Sequence, residues 1–203
     1  MAEPKTQSSH YWERVMREGG DPPGEDLAAL RSGAGRPAGS VPAMWRFYSV
    51  EDSGTAAPSA ALVAEHHALV LFGFHQQSKH DRLVHEPGHS VASALHRLRW
   101  SDAYRERGEA IDGRVSAAAT APTVDAVAWH LRSLVGLLRG EALGFDYTEL
   151  FRDLVLWSIP DRAARVRRRW GRDYFSWGAP QDGQQAGKPA NPDNSGGDHH
   201  RAD

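Results

Sequence analysis

The sequence contains no cysteine, which removes disulfide frameworks, thiolate zinc sites and cysteine nucleophiles together. No stretch reaches the about 20 consecutive apolar residues that a membrane span needs, and the first residues lack the charged-then-apolar order of a secretory signal. A cytoplasmic location is the resulting expectation, with no membrane among the partners. Motifs that build nucleophile or phosphate sites are missing as well: there is no G-x-S-x-G, no P-loop and no G-x-G-x-x-G between a strand and a helix. The acidic pairs Glu25-Asp26 and Glu51-Asp52 sit in segments too loose to frame acid–base work. No convincing period-2 strand occurs anywhere, so the alternation that marks a half-buried sheet is absent. A strong charge of one sign is lacking too. The formal net charge is −2, which excludes a globally basic nucleic-acid protein but not a local basic stripe.

What is present is helical periodicity over 203 residues. Residues 1–9 read as a flexible leader. His10 to Glu18 and Glu25 to Ser32 read as short helices, separated by Gly19-Gly20-Asp21-Pro22-Pro23-Gly24. Met44 to Tyr48 reads as a helical turn packed by its aromatics. Ser59 to Ser78 has apolar residues on most of its circumference, which predicts a central, buried helix. Ser90 is the expected N-cap of a helix through Trp100, and Thr123 of a helix to Glu141 whose Val124, Val127, Leu131, Leu134, Val135 and Leu138 keep the 3,4 spacing. Between them, Ala103 to Ser116 is weakly amphipathic. Asp146-Tyr147-Thr148-Glu149 resembles a capping box, and Pro160 opens the last helix at a position that tolerates proline. After residue 177, Gly, Pro, Gln, Asn and Asp dominate and disorder is expected. The expected fold is all-α: a two-lobed helical bundle, with lobes at 10–100 and 101–177 and a disordered tail at 178–203.

The last helix, read as Pro160 to Trp177, carries the most distinctive surface. At 100° per residue, Arg162, Arg165, Arg169 and Arg172 fall on one side, and Ala163, Val166, Trp170 and Trp177 on the other. A row of planar cations opposite a packing face suits a polyanion, because each guanidinium fork donates two hydrogen bonds to phosphate and stacks on an unpaired base. Arg132 and Arg139 lie seven apart on one flank of their helix, and Arg31, Arg36, Arg97, Arg99 and Arg114 lie at helix ends or in short helices. Any one of these arginines is equally compatible with free solvation or with pairing to Asp125, Glu141, Asp153 or Asp161, so the grouping carries the inference. The tail concentrates acid (Asp182, Asp193, Asp198 and Asp203 against Lys188 and Arg201), leaving the rest about balanced with its arginines clustered. Of the seven tryptophans, Trp157, Trp170 and Trp177 read as core or interface anchors.

Histidines offer a competing expectation. His66-His67, His75, His80, His85, His89 and His96 crowd one region, and His80-Asp81 is like the paired signature of HD-type metal-dependent phosphohydrolases. Such enzymes need a further histidine and a second aspartate on well-placed helices, and no such set assembles here, so packing histidines are the simpler expectation. A scaffold that touches only protein is the third possibility.

Several segments, in order, carry a family likeness. They are His67-Ala68-Leu69-Val70-Leu71-Phe72 through His75-Gln76-Gln77-Ser78, then Pro87-Gly88-His89-Ser90 ahead of Ala94-Leu95. His130-Leu131-Arg132-Ser133-Leu134-Val135 with Leu137-Leu138-Arg139 follows, then Phe145-Asp146-Tyr147 leading to Asp153-Leu154, and finally Arg167-Arg168-Arg169-Trp170-Gly171-Arg172-Asp173-Tyr174. Their succession, over Glu25 to Phe175, resembles the CasB family, the small subunit of the type I-E CRISPR surveillance complex, Cascade. The resemblance implies an all-helical, two-lobed subunit without catalytic activity or cofactor. Two copies would line a crRNA-containing assembly between backbone subunits and large subunit, with a positive face steadying the displaced non-target DNA strand of the R-loop. It places basic sites at Arg31, Arg114 and Arg132. Arg165, Arg168, Arg169 and Arg172 rest on the helix-face argument instead. Where family members often carry a basic residue after the Gly-x-Ser motif, this chain has Val91-Ala92-Ser93.

Overall fold

Ser59, Ser90 and Thr123 each accept a hydrogen bond from a backbone N–H one turn on, at Leu62, Ser93 and Ala126 (3.1, 3.1 and 3.2 Å). These caps satisfy donors that a helix start otherwise leaves open, and so fix where three of the main helices begin. The computed structural model of the chain describes residues 9–51, 54 and 57–175. In chain order the α-helices are α1 (Tyr11–Arg17), α2 (Gly24–Arg31), α3 (Ala60–His75), α4 (Val91–Trp100), α5 (Gly108–Thr120), α6 (Val124–Gly140), α7 (Tyr147–Trp157) and α8 (Pro160–Phe175). Two 3-10 segments, Pro42–Phe47 and Arg105–Arg107, complete the order. No strand occurs among the described residues. One isolated parallel bridge joins His85 to Phe145. The fold is all-α, as expected.

α3 is the axis of the molecule. Its apolar residues run nearly all round it, and α2, α6 and α7 pack against its successive faces. α2 comes close because Gly73 has no side chain: a Cβ there would stand 2.8 Å from Leu30 Cβ and 3.2 Å from the Leu27 carbonyl oxygen. α8 lies across α4 and α7. One continuous core runs from Tyr11 and Trp12 through Leu69, Phe72, Leu131 and Tyr147 to Trp170 and Tyr174, crossing the expected lobe boundary near Ser101.

Two helix limits and one cap differ from the sequence-based expectation, each because of contacts made outside the helix itself. α3 stops at His75 rather than Ser78 because Gln76 is buried and serves the following loop. Its amide donates to the Lys79 and Arg82 carbonyls (2.5 and 2.9 Å) and its oxygen accepts from Val84 N–H (2.9 Å). The weak helix expected from Ala103 begins later, at Gly108, after a turn in which the Ser101 carbonyl accepts from Tyr104 and Arg105 N–H (3.0 and 2.9 Å). Gly108 is tucked beneath the Arg99 guanidinium, where a Cβ would collide. Asp146 does cap α7, accepting from Thr148 and Glu149 N–H (2.9 and 3.0 Å). Its own N–H, however, goes to the His89 carbonyl (2.7 Å) rather than to Glu149, so the capping box is half formed. The leader up to Ser8, Trp177 and the tail at 178–203 lie outside the described residues.

Candidate nucleic-acid interface

On α8 the residues Ala163, Val166, Trp170 and Tyr174 are buried, and Arg165, Arg168 and Arg172 are exposed at spacings of three and four. These three project from one strip of the helix. Arg165 and Arg168 have no carboxylate within ion-pair distance among the described residues. Arg172 Nε stands 3.5 Å from neighbouring Asp173, and its side chain remains 70% exposed.

Arg169 departs from the expected row. It falls at the edge of the buried face, on the Arg165 side of Val166, and turns inward to the Asp153 carboxylate of α7, with Glu149 at 3.4 Å. Trp170 Nε1 donates to the other Asp153 oxygen (2.7 Å). Burial pushes the Asp153 carboxyl above its ordinary range, against the pull of Arg169 and Trp170. Burial by itself would depress the Arg169 guanidinium, but Asp153 and Glu149 outweigh it and raise it. Arg169 is thus committed to the α7–α8 joint. Arg167 likewise donates to the Ala121 carbonyl (3.0 Å) and lies 5.0 Å from the Trp157 ring centroid.

The remaining arginines divide the same way. Arg97 bonds the Gly144 carbonyl (2.8 Å) and Glu86 (3.3 Å), while Arg99 pairs with Asp112 (2.9 Å) and lies over Trp100. Arg31 reaches the Gly73 carbonyl (3.4 Å), and Arg139 reaches the Phe74 carbonyl and Gln77 (3.3 and 3.2 Å). Those two, from α2 and α6, complement the open carbonyls at the negative end of α3. Arg36, Arg114 and Arg132 are exposed, with no carboxylate in ion-pair distance among the described residues. Arg132 is fixed in another way: its guanidinium carbon stands 4.1 Å from the Phe74 ring centroid, which orients the plane without using its N–H donors. Sequence reasoning missed Arg152, which is exposed on α7 off its apolar stripe.

It also missed Trp129. This side chain is 72% exposed on α6, opposite the buried face of that helix. It lines a cleft of about 750 Å³ between residues 34–38, α3 and α6, with Arg36 and Arg132 on the same rim. The signal was legible: a tryptophan at a position where the 3,4 pattern of α6 puts solvent.

The histidines serve packing. His66 is buried with Nε2 on the Gly33 carbonyl (3.1 Å) and Nδ1 on the Tyr48 hydroxyl (2.7 Å), which requires the proton on Nε2 in the neutral ring. His75 stacks on Phe145 and meets the Tyr147 hydroxyl at 3.0 Å, and His85 Nδ1 accepts from Tyr147 N–H (3.1 Å). Burial pushes all three rings down from the ordinary imidazole range, His75 to about 3. His10 joins Ser49 around buried Glu65 (2.7 Å from His10 Nδ1), tying the start of α1 to α3. His80 faces Asp21 at 3.4 Å. Among the described residues no group of three or more His, Asp or Glu is placed to hold a metal ion.

The family model described as CRISPR-associated protein Cse2 matches residues 26–175. A CRISPR-associated protein Cse2 of Thermus thermophilus is 33% identical over 94 residues, 46% of this chain, and the match spans about half (51%) of that relative's length. The crystal structure of CasB from Thermobifida fusca superposes with a TM-score of 0.62 at 29% identity, covering 80% of this chain and 90% of that one. A chain of a structure described as a CRISPR RNA-guided surveillance complex shares the fold, with a TM-score of 0.55 at 24% identity over 80% of this chain and 86% of that one. The matched region contains every arginine described above together with the core that positions it, and the chain belongs to the CRISPR-associated Cse2 family, also called CasB.

Proposed function

We propose that the chain is a non-catalytic small subunit of a crRNA-guided type I-E CRISPR surveillance complex, Cascade, and that it holds the displaced non-target DNA strand of the R-loop. Guide pairing selects the sequence in such an assembly, so a subunit that steadies the displaced strand needs affinity for a single-strand backbone and no base code. The observation that carries this is the row Arg165, Arg168 and Arg172, exposed on α8 while Arg169 between them is tied inward. α8 is seated by Trp170 and Tyr174, so the row is held by a packed helix rather than a mobile loop. Arg36, Arg114 and Arg132 add exposed cations elsewhere in the fold. Contacts to the backbone and large subunits, and to a second copy of itself, belong to the same proposal. They rest on family membership and on the fold shared with a chain of a surveillance complex. The metal-dependent phosphohydrolase alternative has no geometry in its favour, since His80 and Asp81 lie in an exposed loop.

Purification of tagged chain from its native host tests the assembly. Co-purification with an RNA-containing multi-subunit particle is expected. Recovery as an RNA-free single protein under low-salt conditions would overturn the proposal.

A further inference from the structure

The cleft beside Trp129 has a composition that neither a purely apolar partner nor a free anion would match. Its floor is apolar, formed by Val63, Val70 and Leu71 of α3. The exposed indole of Trp129 forms one side, and two guanidinium groups, Arg36 and Arg132, stand on the rim. The one carboxylate among the lining residues, Asp125, is engaged by His67 Nε2 at 2.9 Å. The Arg132 guanidinium carbon stands over the Phe74 ring, 4.1 Å from its centroid, a contact that holds the group while its N–H donors stay open. At about 750 Å³ the space falls in the range of sites that bury a drug-sized or nucleotide-sized group.

Flat apolar surface beside unneutralised forks, one of them held over Phe74, is the complement of one unpaired nucleotide: a base with a π-face, joined to a phosphate. Arg132 follows Trp129 by one helical turn on α6, so the two groups face adjoining parts of a ligand. A duplex keeps its base faces stacked internally and presents none to the indole, which restricts the ligand to a single strand. An apolar side chain from a protein neighbour would cover Trp129 but leave both arginines without acceptors. We propose that this cleft seats one unpaired nucleotide of the displaced DNA strand, its base stacked on Trp129 and its phosphate on Arg132 and Arg36. The proposal rests on the strand-holding function above and assigns a second contact point to the strand, separate from the α8 row.

The test uses the full chain, with fluorescence anisotropy on labelled oligo(dT) and on an abasic strand of equal length. Trp129→Ala is expected to weaken oligo(dT) binding by roughly 5- to 100-fold, the range for loss of one stacked base. Trp129→Phe is expected to retain most of the affinity, and Trp129→Ala to match the unsubstituted chain on the abasic strand. Because the side chain is exposed, the urea midpoint of Trp129→Ala checks that the fold is intact. Unchanged oligo(dT) affinity in Trp129→Ala, with affinity lost in the Arg165, Arg168 and Arg172 triple alanine variant, would overturn this proposal and leave the strand-holding function standing. Unchanged affinity in both variants would overturn both. Loss of incorporation into the complex at unchanged oligo(dT) affinity would make Trp129 a protein anchor and overturn the nucleotide assignment.

Discussion

Trp170 donates its indole N–H to Asp153 at 2.7 Å, and Arg169, one residue earlier, closes on the same carboxylate from the other side. The joint between α7 and α8 is therefore polar at its centre and apolar around it. It also determines which arginines of the last helix are free for a ligand.

That joint separates two kinds of arginine by their effect on stability. Asp153 is nearly fully buried, so removing its cation leaves a desolvated carboxylate. Arg169→Ala is expected to lower the unfolding free energy by about 2–3 kcal/mol, the partly exposed guanidinium placing it below the usual cost of breaking a buried pair. Arg168→Ala is expected to stay within about 0.5 kcal/mol. Urea denaturation of the two variants side by side checks this; equal losses would show that the pair is not the structural element of α8.

Most of the fold was legible in the sequence because its cues are local. Ser59, Ser90, Thr123 and Asp146 cap helices by reaching donors within three residues, and the apolar spacing of α6 shows its buried face directly. Helix limits set by long-range contacts were not legible. Nothing near Gln76 announces that its amide will organise residues 79–84, nor does Gly108 announce Arg99 above it. The same division runs through the candidate interface. The amphipathic split of α8 could be read at 100° per residue, but Arg169 sits at the edge of the two faces, and only the position of Asp153 on another helix decides its direction. Arg31 and Arg139 turn to carbonyls of α3 that are distant in sequence.

Two glycine substitutions should move stability in opposite directions. Gly73→Ala places a methyl group 2.8 Å from Leu30 Cβ and is expected to cost about 1–3 kcal/mol by forcing α2 from α3. Gly136 lies in the middle of α6 with nothing within 4 Å of an added Cβ, so Gly136→Ala is expected to gain about 0.5–1 kcal/mol. Thermal or chemical denaturation of both reads the signs directly.

Acid should destabilise the fold before carboxylates titrate. His66, His75 and His85 have folded pKa values below their unfolded value of 6.5, His75 at about 3, because burial disfavours the imidazolium. Above pH 6.5 both states are neutral and their contribution is fully present. As pH falls below 6.5 the unfolded chain takes up protons that the folded chain refuses, and stability drops by up to about 1.4 kcal/mol per pH unit for each ring. Asp153 and Glu149, raised by burial, act with the opposite sign, in the carboxylate range. Unfolding free energies from pH 8 to 5 should therefore decline below 6.5, and His75→Gln should make that decline shallower. An identical slope in His75→Gln would show that this ring does not remain neutral in the fold.

The salt dependence of single-strand binding tests the strand-holding claim most directly. Phosphate neutralisation releases counterions, so log affinity falls with log salt by about 0.7 for each contact to a single strand. With Arg165, Arg168 and Arg172 all changed to alanine, oligo(dT) affinity is expected to fall and the slope to become shallower by about 2. The same affinity and the same slope in the triple variant would mean that the exposed row on α8 touches no phosphate, and would contradict the function proposed for it.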